Sequence, residues 1–116
     1  MTFFYIAASL IVVAAIFHSV QGERLLIRPT LAVDDPFIRR PMTQAIIRFG
    51  WHASSLFMLM TAILIVWPGT PVTLILLAGL LWLTLGVTNL LMTKAKHPGG
   101  SILSLIGVII LAGYSL

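Results

Sequence analysis

The sequence predicts an all-α polytopic membrane protein, a bundle of four transmembrane helices with a short interfacial segment between helices 1 and 2. Three observations lead there. First, 59% of the 116 residues are hydrophobic and 9% are charged, whereas roughly a quarter of the residues of an ordinary soluble domain are charged. Second, four apolar segments are long enough, or nearly so, for a bilayer core about 30 Å thick at about 1.5 Å of helix per residue. Third, every Lys and Arg (Arg24, Arg28, Arg39, Arg40, Arg48, Lys94 and Lys96) falls in two stretches that a four-span chain carries on the same side.

The segments run over residues 3–20, 45–67, 72–92 and 101–116, in a single domain spanning residues 1–116. The first begins Met1-Thr2-Phe3-Phe4-Tyr5, without Lys or Arg, and ends at Phe17-His18-Ser19-Val20-Gln21-Gly22, without a small-x-small cleavage site. It is expected to be retained rather than removed as a signal peptide. Gly22 and Glu23 are expected to close it, with glycine at the C-cap. Glu23-Arg24-Leu25-Leu26-Ile27-Arg28 is expected to lie along the headgroup boundary, Leu25 to Ile27 buried and both arginines near phosphates. Asp34-Asp35-Pro36 has the form of a capped helical turn, favoured over metal or phosphate ligation. Pro41 breaks the chain before the second span. Trp67-Pro68-Gly69-Thr70-Pro71 is a tight reversal into the third. The fourth segment, sixteen residues long, is short for a full crossing.

The charge bias sets an orientation. Residues 21–44 and 93–100 hold all the basic side chains, so the positive-inside rule makes them cytoplasmic and points both termini outward. The net charge of +4 belongs to that topology and not to a nucleic-acid surface, because no basic patch with interleaved aromatics accompanies it. The absence of cysteine excludes disulfides, thiolate nucleophiles and Cys-ligated metals. The expected partners are the lipid bilayer and either further copies of the chain or a larger membrane complex.

The residues with usable chemistry gather at the cytoplasmic level. His18 lies near the end of the first span, His52 near the start of the second and His97 just past the third, with Glu23 at the same level. Three imidazoles and a carboxylate from different helices suit zinc or iron, which take such ligands and keep an open position when catalytic. Haem between His18 and His52, with propionates near Arg24, Arg28 or Arg48, ranks below this because it needs a wide apolar slot. Arg24, Arg28 and Arg48 are candidates for an anionic group or lipid headgroup. Arg48, His52 and Ser55 share a helical face, as do Gly86, Asn89, Thr93 and, if the helix continues, His97. Against these readings stands a plainer one: interfacial histidines anchor helices more often than they ligate, and Asn89 and Thr93 serve as interhelical hydrogen-bonding groups. Ser19, Ser54 and Ser55 near histidines are too common a pattern to indicate a hydrolase, and no G-x-S-x-G or H-E-x-x-H motif is present. Small residues at Ala14, Ala15, Ala78, Gly79, Gly86, Ser104 and Gly107 are expected at close helix contacts.

His18-Ser-Val-Gln-Gly-Glu23, Arg48-Phe-Gly-Trp-His52-Ala-Ser-Ser55 and His97-Pro-Gly-Gly100 together resemble motifs of small uncharacterised bacterial inner-membrane proteins with four predicted helices. The resemblance spans most of the chain and departs at Gly100, where a tryptophan would be expected. It implies a four-helix fold and the bacterial inner membrane, and supplies no catalytic residue. Two functions remain open on the sequence. One is a metal-binding membrane protein acting on a lipid-soluble or interfacial substrate; the other is a non-catalytic structural or accessory subunit. A small transporter ranks third, since no carboxylate lies within a span.

Overall fold

A computed structural model describes residues 1–116. The chain is all-α, without strands, and has four helices long and apolar enough to cross a membrane. They are α1 (Thr2–Leu31), α2 (Pro41–Val66), α3 (Val72–Met92) and α4 (Pro98–Ser115). α2 and α4 each begin on a proline, where the missing N–H costs nothing and the ring presets the helical φ. Starting at Pro98 gives α4 18 residues, two more than its apolar run, which makes good part of the shortfall.

The main departure from expectation is at the end of the first span. Gly22 does not cap a helix, and residues 23–31 continue it. The backbone stays helical through Glu23, passes through a π-helical turn at Glu23–Ile27 and ends at Leu31. Pro29 explains the turn. It has no N–H to give to the Leu25 carbonyl and its ring would strike that oxygen, so the helix widens over the preceding residues. Widening changes which side chains align: Arg28, five residues after Glu23, comes within 3.6 Å of its carboxylate, a spacing that a regular α-helix would put on different faces. In the connection that follows, Asp35 Oδ1 accepts hydrogen bonds from the Phe37 and Ile38 N–H groups at 2.8 and 3.1 Å. Asp34 pairs with Arg39 at 2.8 Å. The two aspartates are therefore occupied in shaping a single turn.

α1 packs mainly against α2, α3 against α4, and α1 against α4; α2 and α3, although joined by a short turn, barely touch. That turn reverses at Gly69, whose φ of 84° lies in the left-handed region open to glycine. One apolar core draws on all four helices, through Ala7 and Ile11, Ala62 and Ile65, Ile75 and Trp82, and Ile106 and Ile110. Trp82, mid-span in the sequence, is 4% exposed and part of this core. Gly113 of α4 lies against Phe3 and Phe4 of α1, and Trp51 of α2 against His18. These contacts fix α1 as antiparallel to both neighbours. Residues 21–48 and 93–98, with all seven basic side chains, therefore lie at one end of the helices.

The polar stripe on α3 stops where that helix does. Ala95 N–H bonds to Leu90 O at 2.8 Å and Lys94 N–H to Leu91 O at 3.4 Å, the paired closure of a Schellman motif. Lys94 and Ala95 both take positive φ. The helix thus turns away before His97, which becomes the N-cap of α4 and accepts from the Gly99 N–H at 3.2 Å.

Candidate functional site

The polar residues of the α1–α2 seam form one connected network, and its geometry follows from Gly22. With no side chain there, the indole of Trp51 lies directly on the α1 backbone and its Nε1–H donates to the His18 carbonyl at 2.8 Å. The same indole stacks on the His18 ring, centroids 4.3 Å apart and planes 7° from parallel. On the next residue of α2, His52 reaches back across the seam. Its Nδ1 is 2.6 Å from Ser19 Oγ and its Nε2 is 3.1 Å from Glu23 Oε2. One turn earlier, Arg48 donates through Nε and Nη2 to Glu23 Oε1 at 3.2 and 3.0 Å. Arg48, His52 and Ser55 do occupy one face of α2, as their spacing predicts.

The network assigns the imidazole tautomers. Glu23, held by the Arg48 guanidinium, is the acceptor, so in a neutral His52 the Nε2–H donates to it and Nδ1 carries the lone pair. The Ser19 hydroxyl then donates to Nδ1. His18 is arranged differently: Ser54 Oγ–H donates to the Trp51 carbonyl at 2.5 Å, so His18 Nε2–H is the donor to Ser54 Oγ at 2.8 Å. Of the two histidines, only His52 has a nitrogen poised to accept a proton from a side chain.

Beside this network is a groove of about 390 Å³ between α1 and α2, lined by Ala15, Ile16, Ser19, Phe49, His52, Ala53, Ser55, Leu56 and Leu59. Its size falls in the range of roughly 300–1,000 Å³ typical of small-molecule sites. The walls are apolar and the polar end is made by Ser19, His52 and Ser55. Ser55 is 6% exposed and its Oγ has no hydrogen-bond partner. A mid-helix serine usually bonds back to the carbonyl one turn earlier; the Ser55 Oγ is enclosed and has no such partner.

Of the residues proposed from the sequence, His18, Glu23, Arg48, His52, Ser55 and Arg28 come together here. His97 does not join them; it is exposed and committed to the α4 N-terminus. Arg24 is exposed and makes no ion pair. Asn89 and Thr93 sit on the other seam: Thr93 Oγ1 donates to the Asn89 carbonyl at 2.8 Å, and Asn89 Oδ1 lies against Gly100 of α4. Ser19, Trp51, Ser54 and Gly22 carry the network and were not singled out as site residues by spacing, because their roles exist only once α1 and α2 are paired.

No three His, Asp or Glu side chains are grouped to hold an ion, and both nitrogens of His52 and the Nε2 of His18 are hydrogen-bonded within the protein. The His18 ring lies flat on Trp51, which covers one of its faces. No protein-family model matches the chain, and neither a curated protein nor a solved structure matches it.

Proposed function

We propose that this is a multi-pass membrane protein that binds a single-chain amphiphile in the α1–α2 groove, with the hydrocarbon tail on the apolar walls and the polar head at Ser19, His52 and Ser55. The observation that carries this reading is an apolar groove of about 390 Å³ that ends in the polar side chains of Ser19 and His52. Location supports it as well. Ile16, Phe49 and Leu56 on the groove wall are 56%, 75% and 64% exposed, and Phe17, Phe57, Leu80 and Leu85 are exposed elsewhere around the helices. Such a surface is costly in water and solvated by hydrocarbon. A lipid chain in the bilayer can enter the groove sideways without crossing a polar barrier. Arg24, Arg28 and Arg48 at the same end suit an anionic head.

Crosslinking tests this. With a photoreactive fatty acid in bilayer nanodiscs, crosslinks should concentrate on Ile16, Phe49 and Leu56, and Ala53→Phe, which fills the groove, should remove most of them. Crosslinks spread evenly over all outward apolar positions, or indifferent to Ala53→Phe, would leave the accessory-subunit reading in its place.

We also infer an orientation in a bacterial inner membrane, with residues 21–44 and 93–100 cytoplasmic and both termini outside. The location of all seven basic residues at one end supports it. In intact cells, a membrane-impermeant thiol reagent should label Gly69→Cys and spare Ala95→Cys. Labelling of Ala95→Cys alone would reverse the orientation and move the groove's polar end to the outer face.

A further inference from the structure

We propose that Ser19 is a nucleophile, activated by His52 and positioned through Glu23, that cleaves a carboxylic ester of the amphiphile held in the α1–α2 groove. The substrate side rests on the groove reading above; the chemistry rests on separate geometry. Ser19 and His52 both line the groove. Ser19 Oγ lies 2.6 Å from Nδ1, within reach for proton transfer, and the opposite ring nitrogen is fixed by Glu23 Oε2 at 3.1 Å. A hydroxyl, a base and a group that orients the base form the constellation that acyl transfer requires. Relative to the serine proteases the ring is reversed, with Nδ1 toward serine and Nε2 toward the carboxylate. Both nitrogens lie in the ring plane and either can serve as the base. Arg48 holds Glu23 in turn, with hydrogen bonds from Nε and Nη2 to Oε1 and a longer one from Nε to Oε2 at 3.3 Å, so that Oε2 is shared with His52.

The third requirement is a donor for the oxyanion. Ser55 is three residues beyond His52, on the same face of α2, and its Oγ is unpartnered but enclosed, so it meets an oxyanion only by turning about χ1 toward the groove. A serine hydroxyl can serve in such a role. No other polar group lining the groove is without a partner. The two remaining buried, unpaired side-chain atoms, on Asn89 and Ser104, belong to the α3–α4 seam. His18 and Ser54, although as close to each other as a nucleophile–base pair, are excluded by their hydrogen-bond directions, because Ser54 spends its proton on the Trp51 carbonyl.

The steps balance with water alone. Ser19 Oγ attacks the ester carbonyl carbon while its proton passes to His52 Nδ1, and the negative charge on the carbonyl oxygen is met by Ser55. The bond to the alkoxy oxygen breaks, and that oxygen leaves as the alcohol with the proton from His52. Water then attacks the acyl-Ser19 ester, again giving its proton to Nδ1. The acid departs and Ser19 recovers its proton. Ester plus water gives acid plus alcohol, with no oxidant, reductant or metal ion consumed.

The test uses the full chain in nanodiscs and an alkyl fluorophosphonate, which phosphonylates activated serines, with mass spectrometry to locate the adduct. Hydrolysis of p-nitrophenyl decanoate is followed in parallel. The wild-type protein should be modified at Ser19 and should hydrolyse the ester, and Ser19→Ala should lose both. His52→Gln should slow modification by about 10²–10⁴-fold, the span typical of general-base catalysis. Glu23 is a positioning residue. Glu23→Gln should select the wrong tautomer, slow the reaction by up to about 10⁴-fold and alter its pH profile, while lipid crosslinking in the groove persists. Absence of an adduct at Ser19 in wild-type protein that crosslinks the fatty acid would overturn the nucleophile and leave the groove standing. An adduct at Ser19 without groove crosslinking would support the nucleophile and overturn the groove. The decisive reading is the modified position in the wild-type chain, so it does not depend on any variant folding.

Discussion

Gly22→Ala should destabilise the protein by about 2–4 kcal/mol, lower its thermal midpoint and free the Trp51 indole from α1. A methyl at this position would fall on Nε1, Cε2 and Cζ2 of Trp51. The ring cannot yield cheaply, because it is stacked on His18 and donates to the His18 carbonyl. Overpacking of this kind costs about 1–3 kcal/mol, and losing the indole hydrogen bond adds about 1 kcal/mol. The collision can be isolated by a second change. In a Trp51→Ala background the Gly22→Ala substitution should cost much less, giving a coupling energy of about 1–3 kcal/mol in a double-mutant cycle. Additive costs would show that the two residues do not meet, and the α1–α2 register, together with the Ser19–His52 contact that depends on it, would have to be redrawn.

Hydrophobicity and proline placement made the helices legible. Four apolar runs interrupted by Trp67-Pro68-Gly69 and by Lys94-Ala95-Lys96-His97-Pro98 leave few alternatives for where helices stop. The error was at Gly22, where glycine suggested a C-cap. Gly22 meets a different need, close approach of an indole from α2, and sequence spacing carries no trace of a partner 29 positions away. Pro29 acts in a similar way. A proline inside an apolar run signals a break, yet here the helix absorbs it by widening at Glu23–Ile27, where Glu23 remains paired with Arg48 and His52 of α2.

The candidate site was half legible for the same reason. Arg48, His52 and Ser55 are local neighbours on α2, so the period of the helix was enough to group them. His97 was added on depth and on the phase of a helix taken to continue past Thr93; the Schellman closure at Lys94 and Ala95 ends that helix and sends His97 to the N-terminus of α4. The hydroxyl partners were set aside, since serines near histidines are common and only the pairing of α1 with α2 sets Ser19 on Nδ1 of His52 and Ser54 on Nε2 of His18. Hydrogen-bond direction then separates two pairs that look alike in composition. One ends in a backbone carbonyl and is structural, while the other ends in a carboxylate and leaves its serine proton facing a base.

The largest packing effect should come from the other seam, where Gly86→Leu is expected to cost about 3 kcal/mol or more, the upper end of what overpacking usually costs. A Cβ on Gly86 would meet the backbone nitrogen, Cα and Oγ of Ser104, so relief requires α4 as a whole to move away from α3. Movement would also open the reciprocal contact, where Gly107 of α4 lies against the backbone and Cβ of Leu83 on α3. These two glycines let the helix backbones approach, which in a membrane matters more than apolar area because lipid competes equally for hydrocarbon contact. Leu85→Phe, one residue away on a face that is 50% exposed, serves as the control and should fall within about 0.5 kcal/mol of wild type. Because α2 has little contact with this seam, Gly86→Leu should leave fatty-acid crosslinking in the α1–α2 groove nearly intact under conditions where the protein remains folded. Thermal unfolding of both variants in the same nanodiscs checks the first expectation. Equal midpoints for Gly86→Leu and Leu85→Phe would mean that α3 and α4 do not meet at Gly86 and Ser104.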